Sequence, residues 1–268
     1  VRVVSLHRDV ILVTSELFQA HCTIVRGLAG EGEGAGEEAF AIDSPVLPEE
    51  LELLPSLVEQ AGFPAPRGLL ATHADWDHLL APLAFGDATL GCAESSAARL
   101  QASPGAVQRE LRSFDEALHI ERRPLPLGAV QPLAVPGRCA IGAAELELHP
   151  TSGHTQDGMA IWIAWARVLI AGDYLSPIEL PGVGEGEGML DAYVATLELL
   201  QPLVAAAEHV VPGHGPAIDR ARALELLAED RVYLETLRAR GADAELPHGR
   251  RSKAQRELHA QNVARVRA

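Results

Sequence analysis

Thr72-His73-Ala74-Asp75-Trp76-Asp77-His78 follows the apolar run Gly68-Leu69-Leu70-Ala71, and it places two imidazoles and two carboxylates between positions 73 and 78. A short apolar run bounded by polar sequence reads as a buried strand, so these side chains leave the C-terminal end of a strand. Leu79, Leu80, Leu83 and Ala84 continue with helical spacing, which predicts a strand-to-helix turn at the cluster. Such turns are where α/β proteins present their chemistry. With this composition the pattern HxDxDH arises by chance roughly once in a thousand chains. An N-cap role for Asp75 or Asp77 accounts for one carboxylate and for neither histidine.

Working outward, Val10 to Val13, Cys22 to Val25 and Ala39 to Ile42 are short apolar runs that predict an N-terminal β-meander, with Gly30 to Glu38 as a flexible hairpin tip. Leu51, Leu54, Leu57 and Val58 share one face of a helix predicted over Pro48 to Gln60. Ala144 to His149, Met159 to Trp165, Val168 to Ala171 and His209 to Val211 are strand-like. Polar punctuation stands beside them: Ser152-Gly153-His154-Thr155, Gly172-Asp173-Tyr174 and Pro212-Gly213-His214-Gly215. The charged stretch Ile218 to Ala268 reads as helices packed at the edge of the same domain, interrupted near Gly241 and at Leu246-Pro247-His248-Gly249. The domain is therefore taken as residues 1–217, with 218–268 a C-terminal helical extension.

The chain has 268 residues, 47% of them hydrophobic and 22% charged, enough to bury a substantial core. Its net charge of −15 repels phosphate backbones and anionic lipid, so neither nucleic acid nor membrane is an expected partner. Cys22, Cys92 and Cys139 show no CxxC spacing and read as structural thiols. The opening VRVVSLHRDVILVTS is broken by Arg8 and Asp9, unlike a secretory leader, and the run Met159 to Gly172 is too short to span a bilayer. A cytoplasmic protein is the expectation.

The ordered set His73-Ala-Asp75-Trp-Asp77-His78, Gly153-His154-Thr155, Gly172-Asp173 and Pro212-Gly213-His214-Gly215 resembles the metallo-β-lactamase superfamily over about Val10 to Pro216. The family signature is HxHxDH, then a histidine in a GHT-like turn, an aspartate in a GD turn and a histidine in PGHG. The resemblance implies an α/β fold, an αββα four-layer sandwich of two mixed sheets flanked by helices, with a two-metal site at one edge. Carried over, His73 and His154 bind the first metal, Asp77, His78 and His214 the second, and Asp173 bridges them. Asp75 stands where most members have histidine. Flavodiiron proteins carry a glutamate there, and competence-related DNA-uptake proteins carry the same HxDxDH. Asp75 is read as a first-metal ligand, the alternative being an aspartate turned outward.

Two neighbouring divalent ions acidify a shared water and polarise a substrate oxygen. The implied reaction is hydrolysis of a small ester, thioester, lactone or related carbonyl compound by a metal-bound hydroxide. Asp77 is the group that orients the water or carries the proton. Zinc is the expected metal. The harder carboxylate at Asp75 also admits iron or manganese. The alternatives are a phosphodiesterase or nuclease, which the acidic charge opposes, a diiron redox protein like the flavodiiron metal domain, for which no FMN domain follows, and a scaffold without turnover. Beta-lactam hydrolysis is disfavoured without an export signal. Trp76, Trp162, Trp165 and Tyr174 are read as packing, with Trp76 and Tyr174 close enough to the motifs to reach the pocket. His21 and His149 match no ligand position. The pocket is expected from loops such as Glu94 to Gly137 and Pro177 to Leu190; substrate and oligomeric state are undetermined.

Overall fold

All five residues of β2 (Val10–Thr14) are buried, and their side chains divide by parity. Val10 and Leu12 enter one apolar core, Ile11 and Val13 another. A strand buried on both faces separates two layers. In the computed structural model, which describes residues 1–28, 37–128 and 130–267, it lies in a seven-stranded sheet. The order is β1 (Arg2–His7), β2, β3 (His21–Arg26), β4 (Ala39–Asp43), β5 (Gly68–Leu70), β6 (Thr89–Ala93) and β7 (Val130–Leu133). Pairing is antiparallel from β1 to β4 and parallel from β4 to β7.

The facing sheet runs β13 (Ile218–Asp219), β12 (His209–Pro212), β11 (Val168–Gly172), β10 (Met159–Ile163), β9 (Ala144–Pro150) and β8 (Gly137–Ile141). Its β11–β12 pair is parallel and the others antiparallel. Val10, Leu12, Ile42 and Leu70 meet Leu148, Ile161 and Ile170 between the sheets; truncating one such leucine or isoleucine to alanine costs about 2–5 kcal/mol. The outer face of the first sheet is covered by α1 (Pro48–Gln60), α2 (Glu94–Ala102) and α3 (Ala106–Leu118). The outer face of the second is covered by α4 (Met189–Ala206), α5 (Arg220–Arg240) and α6 (Lys253–Arg267). These are the four layers expected from the sequence. By length and composition α4 would suffice to cross a membrane; here Tyr193, Leu197, Leu200 and Val204 bury it in the second outer core.

Three local expectations are corrected. The segment after the motif is not an α-helix but two single 3-10 turns, Trp76–His78 and Ala81–Leu83. Ser44 accounts for this: its hydroxyl donates to Asp77 O at 3.1 Å and accepts from Leu80 N at 3.0 Å, and Pro82 has no N–H to extend a helix. Glu94 to Gly137 is not one loop: α2 and α3 take up half of it and β7 lies within it. The meander gains an edge strand, β1, whose exposed Val3 and Val4 do not alternate with polar residues and so left no strand signature. The predicted hairpin tip at 30–38 lies, apart from Glu37 and Glu38, outside the described residues.

Strand direction gathers the motifs. β4, β5, β9, β11 and β12 end at Asp43, Leu70, Pro150, Gly172 and Pro212, and the motif loops follow immediately. Met159 N donates to Thr72 O across the sandwich and Gly213 N to Gly172 O, both at 2.7 Å, which lock the loops to one another.

Candidate metal centre

All seven residues singled out in the sequence converge at that edge. His73, His154 and Asp173 form one group of possible ligand atoms, and Asp77, His78 and His214 a second, each with its atoms within 4.8 Å of one another. Asp173 touches both: Oδ2 lies 3.1 Å from His154 Nε2 and 3.5 Å from His214 Nε2, and Oδ1 lies 3.2 Å from His78 Nε2. Asp77 Oδ2 is 3.3 Å from His214 Nε2. Asp75 is turned inward, its Oδ2 3.5 Å from His73 Nε2 and 3.6 Å from His154 Nε2. It stands at the N-cap position of the first 3-10 turn but makes no side-chain cap bond, which removes the capping explanation.

Each histidine is held by its other nitrogen. His78 Nδ1 lies 3.1 Å from Asp43 Oδ2, His73 Nδ1 3.2 Å from Thr72 Oγ1, His154 Nδ1 3.1 Å from Gly182 O and His214 Nδ1 3.3 Å from Phe18 O. Such partners set the tautomer and aim Nε2 at the centre. Asp43 itself accepts from the backbone N–H and hydroxyl of Thr72, at 2.7 and 2.9 Å. Gly213 is dictated by close approach: a Cβ there would lie 1.9 Å from Asp173 Oδ1.

Burial and mutual charge oppose one another in the cluster. Burial opposes charge on His154 and His214, but the neighbouring carboxylates together outweigh it, Asp173 with Asp75 at His154 and Asp173 with Asp77 and Glu179 at His214, and raise their pKa values to about 10 and about 9. Burial likewise disfavours ionised Asp173, yet His214, His78, His154 and His73 hold it well below the usual carboxylate range. The Nε2 atoms of His73, His78 and His154 and Oδ1 of Asp173 are buried without a hydrogen-bond partner. Orphaned lone pairs of mixed imidazole and carboxylate type, converging on two points, fit a pair of borderline divalent ions.

The site opens into a cavity of about 350 Å³. Leu175, Leu180 and Pro181 line it from the segment after Asp173, and Leu258, Gln261 and Arg265 from α6. The Pro177–Leu190 expectation is thus met in part, and α6 is a wall that the sequence did not reveal. Glu179 also lines it, its pKa raised by burial and by Asp173 against the opposing pull of His214. Trp76 packs on Phe114, ring centroids 4.5 Å apart, and the neighbouring Phe18 reaches the cavity instead. Tyr174 is buried, and its hydroxyl accepts from His154 N at 3.2 Å, a supporting role. His21 is a satisfied core histidine between Thr14 Oγ1 and Gly215 O.

Sequence reasoning missed Asp43, Arg99, Asp157, Glu179 and Phe18. Two left a usable signal: Asp43 ends a strand as Asp173 follows one, and Asp157 stands three residues after His154. Asp157 accepts from Ala74 N at 3.0 Å, Ser96 Oγ at 2.7 Å and Arg99 Nη1 at 2.9 Å.

The profile of the metallo-beta-lactamase superfamily matches residues 49–236. A beta-lactamase-like protein 2 homolog of Caenorhabditis elegans is 34% identical over 84 residues, 30% of this chain and 25% of that protein, so the match spans about a quarter of the relative's length. Among solved structures, a metallo-beta-lactamase family protein from Thermus thermophilus superposes with a TM-score of 0.68 at 22% identity, covering 97% of this chain and 93% of that one. A beta-lactamase domain protein from Burkholderia ambifaria gives 0.67 at 19%, covering 98% and 86%. The inverting sec-alkylsulfatase Pisa1 of a Pseudomonas species gives 0.72 at 13%, covering 98% of this chain and 49% of that one. At these identities the likeness is one of fold.

Proposed function

The chain belongs to the metallo-β-lactamase superfamily, and from that premise we propose a metal-dependent hydrolase that cleaves a small ester, thioester, lactone or related carbonyl compound at a dinuclear site. The observation that carries the reading is the set of inward, buried and unpartnered ligand atoms on His73, His78, His154 and Asp173. In this reading His73, Asp75 and His154 would hold one ion, Asp77, His78 and His214 the other, and Asp173, in reach of both groups, would serve each. Zinc is the proposed metal, with iron or manganese the alternatives. When bound, such a pair supplies an acidified water and a Lewis acid for the substrate oxygen.

The chain's own residues do the remaining work. Asp77 lines the cavity beside His214, where it can orient a water and pass a proton to the leaving group. Leu175, Leu180 and Leu258 give the cavity an apolar wall, and charges beside an apolar wall are less screened than in open water. The small cavity, walled by carboxylates, supports a small-molecule substrate over nucleic acid, as does the charge of −15. A cytoplasmic location and a C-terminal segment of residues 218–268, mainly α5 and α6 after the short edge strand β13 and packed on a domain of residues 1–217, belong to the same proposal.

The test is elemental analysis of the purified protein with a panel of p-nitrophenyl esters, thioesters, lactones, bis-phosphodiesters and NADH-dependent oxygen consumption. Up to two divalent ions per chain are expected, with turnover of a carbonyl substrate that chelators abolish. Undiminished turnover by metal-free protein would end the reading, and preferred cleavage of phosphodiesters would replace it.

A further inference from the structure

Asp75 departs from histidine at a ligand position, and the structure surrounds that departure with a built support. Its two oxygens have separate duties. Oδ2 faces His73 and His154, at 3.5 and 3.6 Å from their Nε2 atoms. Oδ1 accepts from Arg99 Nη2 at 2.7 Å. The other arm of the guanidinium, Nη1, donates to Asp157 Oδ1 at 2.9 Å. Asp157 is buried, and its second oxygen takes Ser96 Oγ and the backbone N–H of Ala74, at 2.7 and 3.0 Å.

Arg99 therefore forks between two carboxylates, one in the motif and one gripping the residue between His73 and Asp75. A planar fork matched to two acceptors fixes orientation in a way a lone surface ion pair does not. The carboxylate of Asp75 cannot turn both oxygens inward while Arg99 holds one.

We propose that Arg99 is a metal-selecting positioning residue: by holding Oδ1, it restricts Asp75 to one inward oxygen, so that the aspartate stands in for the single nitrogen of a histidine. The inference rests on the metal reading above. Its chemical consequence follows from coordination preference. Zinc favours few ligands in a tetrahedral array, whereas manganese accepts more oxygen ligands in an octahedral one. A singly engaged Asp75 suits the first; a freed carboxylate, able to offer both oxygens, suits the second. The expectation from the sequence alone, that Asp75 opens the site to iron or manganese, is thereby narrowed: Arg99 opposes it.

The experiment is calorimetric titration of the metal-free 268-residue chain with zinc and, separately, with manganese, for wild type, Arg99→Gln and Arg99→Lys. Thermal melts of the metal-free proteins check the fold. Arg99 is on the surface of α2 with its side chain 41% exposed, so each variant is expected to fold. Arg99→Gln should lose about 10- to 100-fold in zinc affinity, the usual effect of removing a ligand's outer partner, with manganese affinity unchanged or raised. Arg99→Lys, with one point donor in place of a fork, should recover part of the zinc preference. An unchanged zinc-to-manganese ratio in folded Arg99→Gln overturns this inference and leaves the metal reading standing. A wild-type chain that takes up neither ion overturns both.

Discussion

Gly213→Ala puts the geometry of the site under direct strain. A Cβ at position 213 would stand 1.9 Å from Asp173 Oδ1 and 3.0 Å from His78 Cε1. The backbone cannot retreat, because Gly213 N donates to Gly172 O at 2.7 Å and Pro212 and His214 on either side are buried. The carboxylate must therefore swing away by about 1.5 Å to regain ordinary contact. Metal–ligand distances tolerate about 0.2 Å, so the shift exceeds that margin several-fold at a carboxylate that touches both candidate ligand groups. Metal affinity should fall about 100-fold, or about 2.8 kcal/mol. The assay is calorimetric titration of metal-free protein with zinc, alongside circular-dichroism melts to establish folding. Gly182→Ala serves as comparison: its Cβ would lie 3.2 Å from His154 Nδ1, and a loss under about tenfold is expected. A folded Gly213→Ala protein that binds zinc with wild-type affinity would refute the placement of Asp173 between the two groups.

Asp173→Ala should strip more metal than His149→Ala, since His149 lies outside both ligand groups; equal stoichiometry in the two by elemental analysis would contradict the assignment. His21 is kept neutral, its pKa lowered from 6.5 to about 4 by burial and by His214 against the pull of Gly215 O. A depressed folded-state value contributes stability that is full above 6.5 and lost as pH falls toward 4, roughly 3 kcal/mol in all. His21→Gln should flatten that part of the acid limb in urea denaturation, and parallel limbs would count against the reasoning. Asn262 is buried, accepting from Val183 N at 2.9 Å and donating to Pro181 O at 2.7 Å, on either side of the Gly182 carbonyl that orients His154. Asn262→Ala should cost about 1–3 kcal/mol of stability and lower zinc affinity about tenfold; a destabilised protein with unaltered zinc binding would confine α6 to a packing role.

The candidate site residues, their order and their attachment to strand ends were legible in the sequence, because a buried strand must be an apolar run of a few residues and the polar group that ends it is unmistakable. The same holds for α1, whose leucines recur at helical spacing and whose bounds agree with the structure. These are local signals, set by backbone period and burial. The direction of Asp75 was not legible: an aspartate at a turn can cap, face solvent or face inward, and the choice is made by Arg99, Asp157 and Ser96, from 21 to 82 positions away. Nor was the replacement of a helix by two 3-10 turns, since Ser44 on a distant loop takes the hydrogen bonds. The wall of α6 over the cavity was hidden for the same reason. Period in a chain reports which side chains are buried, whereas the partner each polar atom finds depends on segments brought together by packing, and that pairing exists in tertiary structure alone.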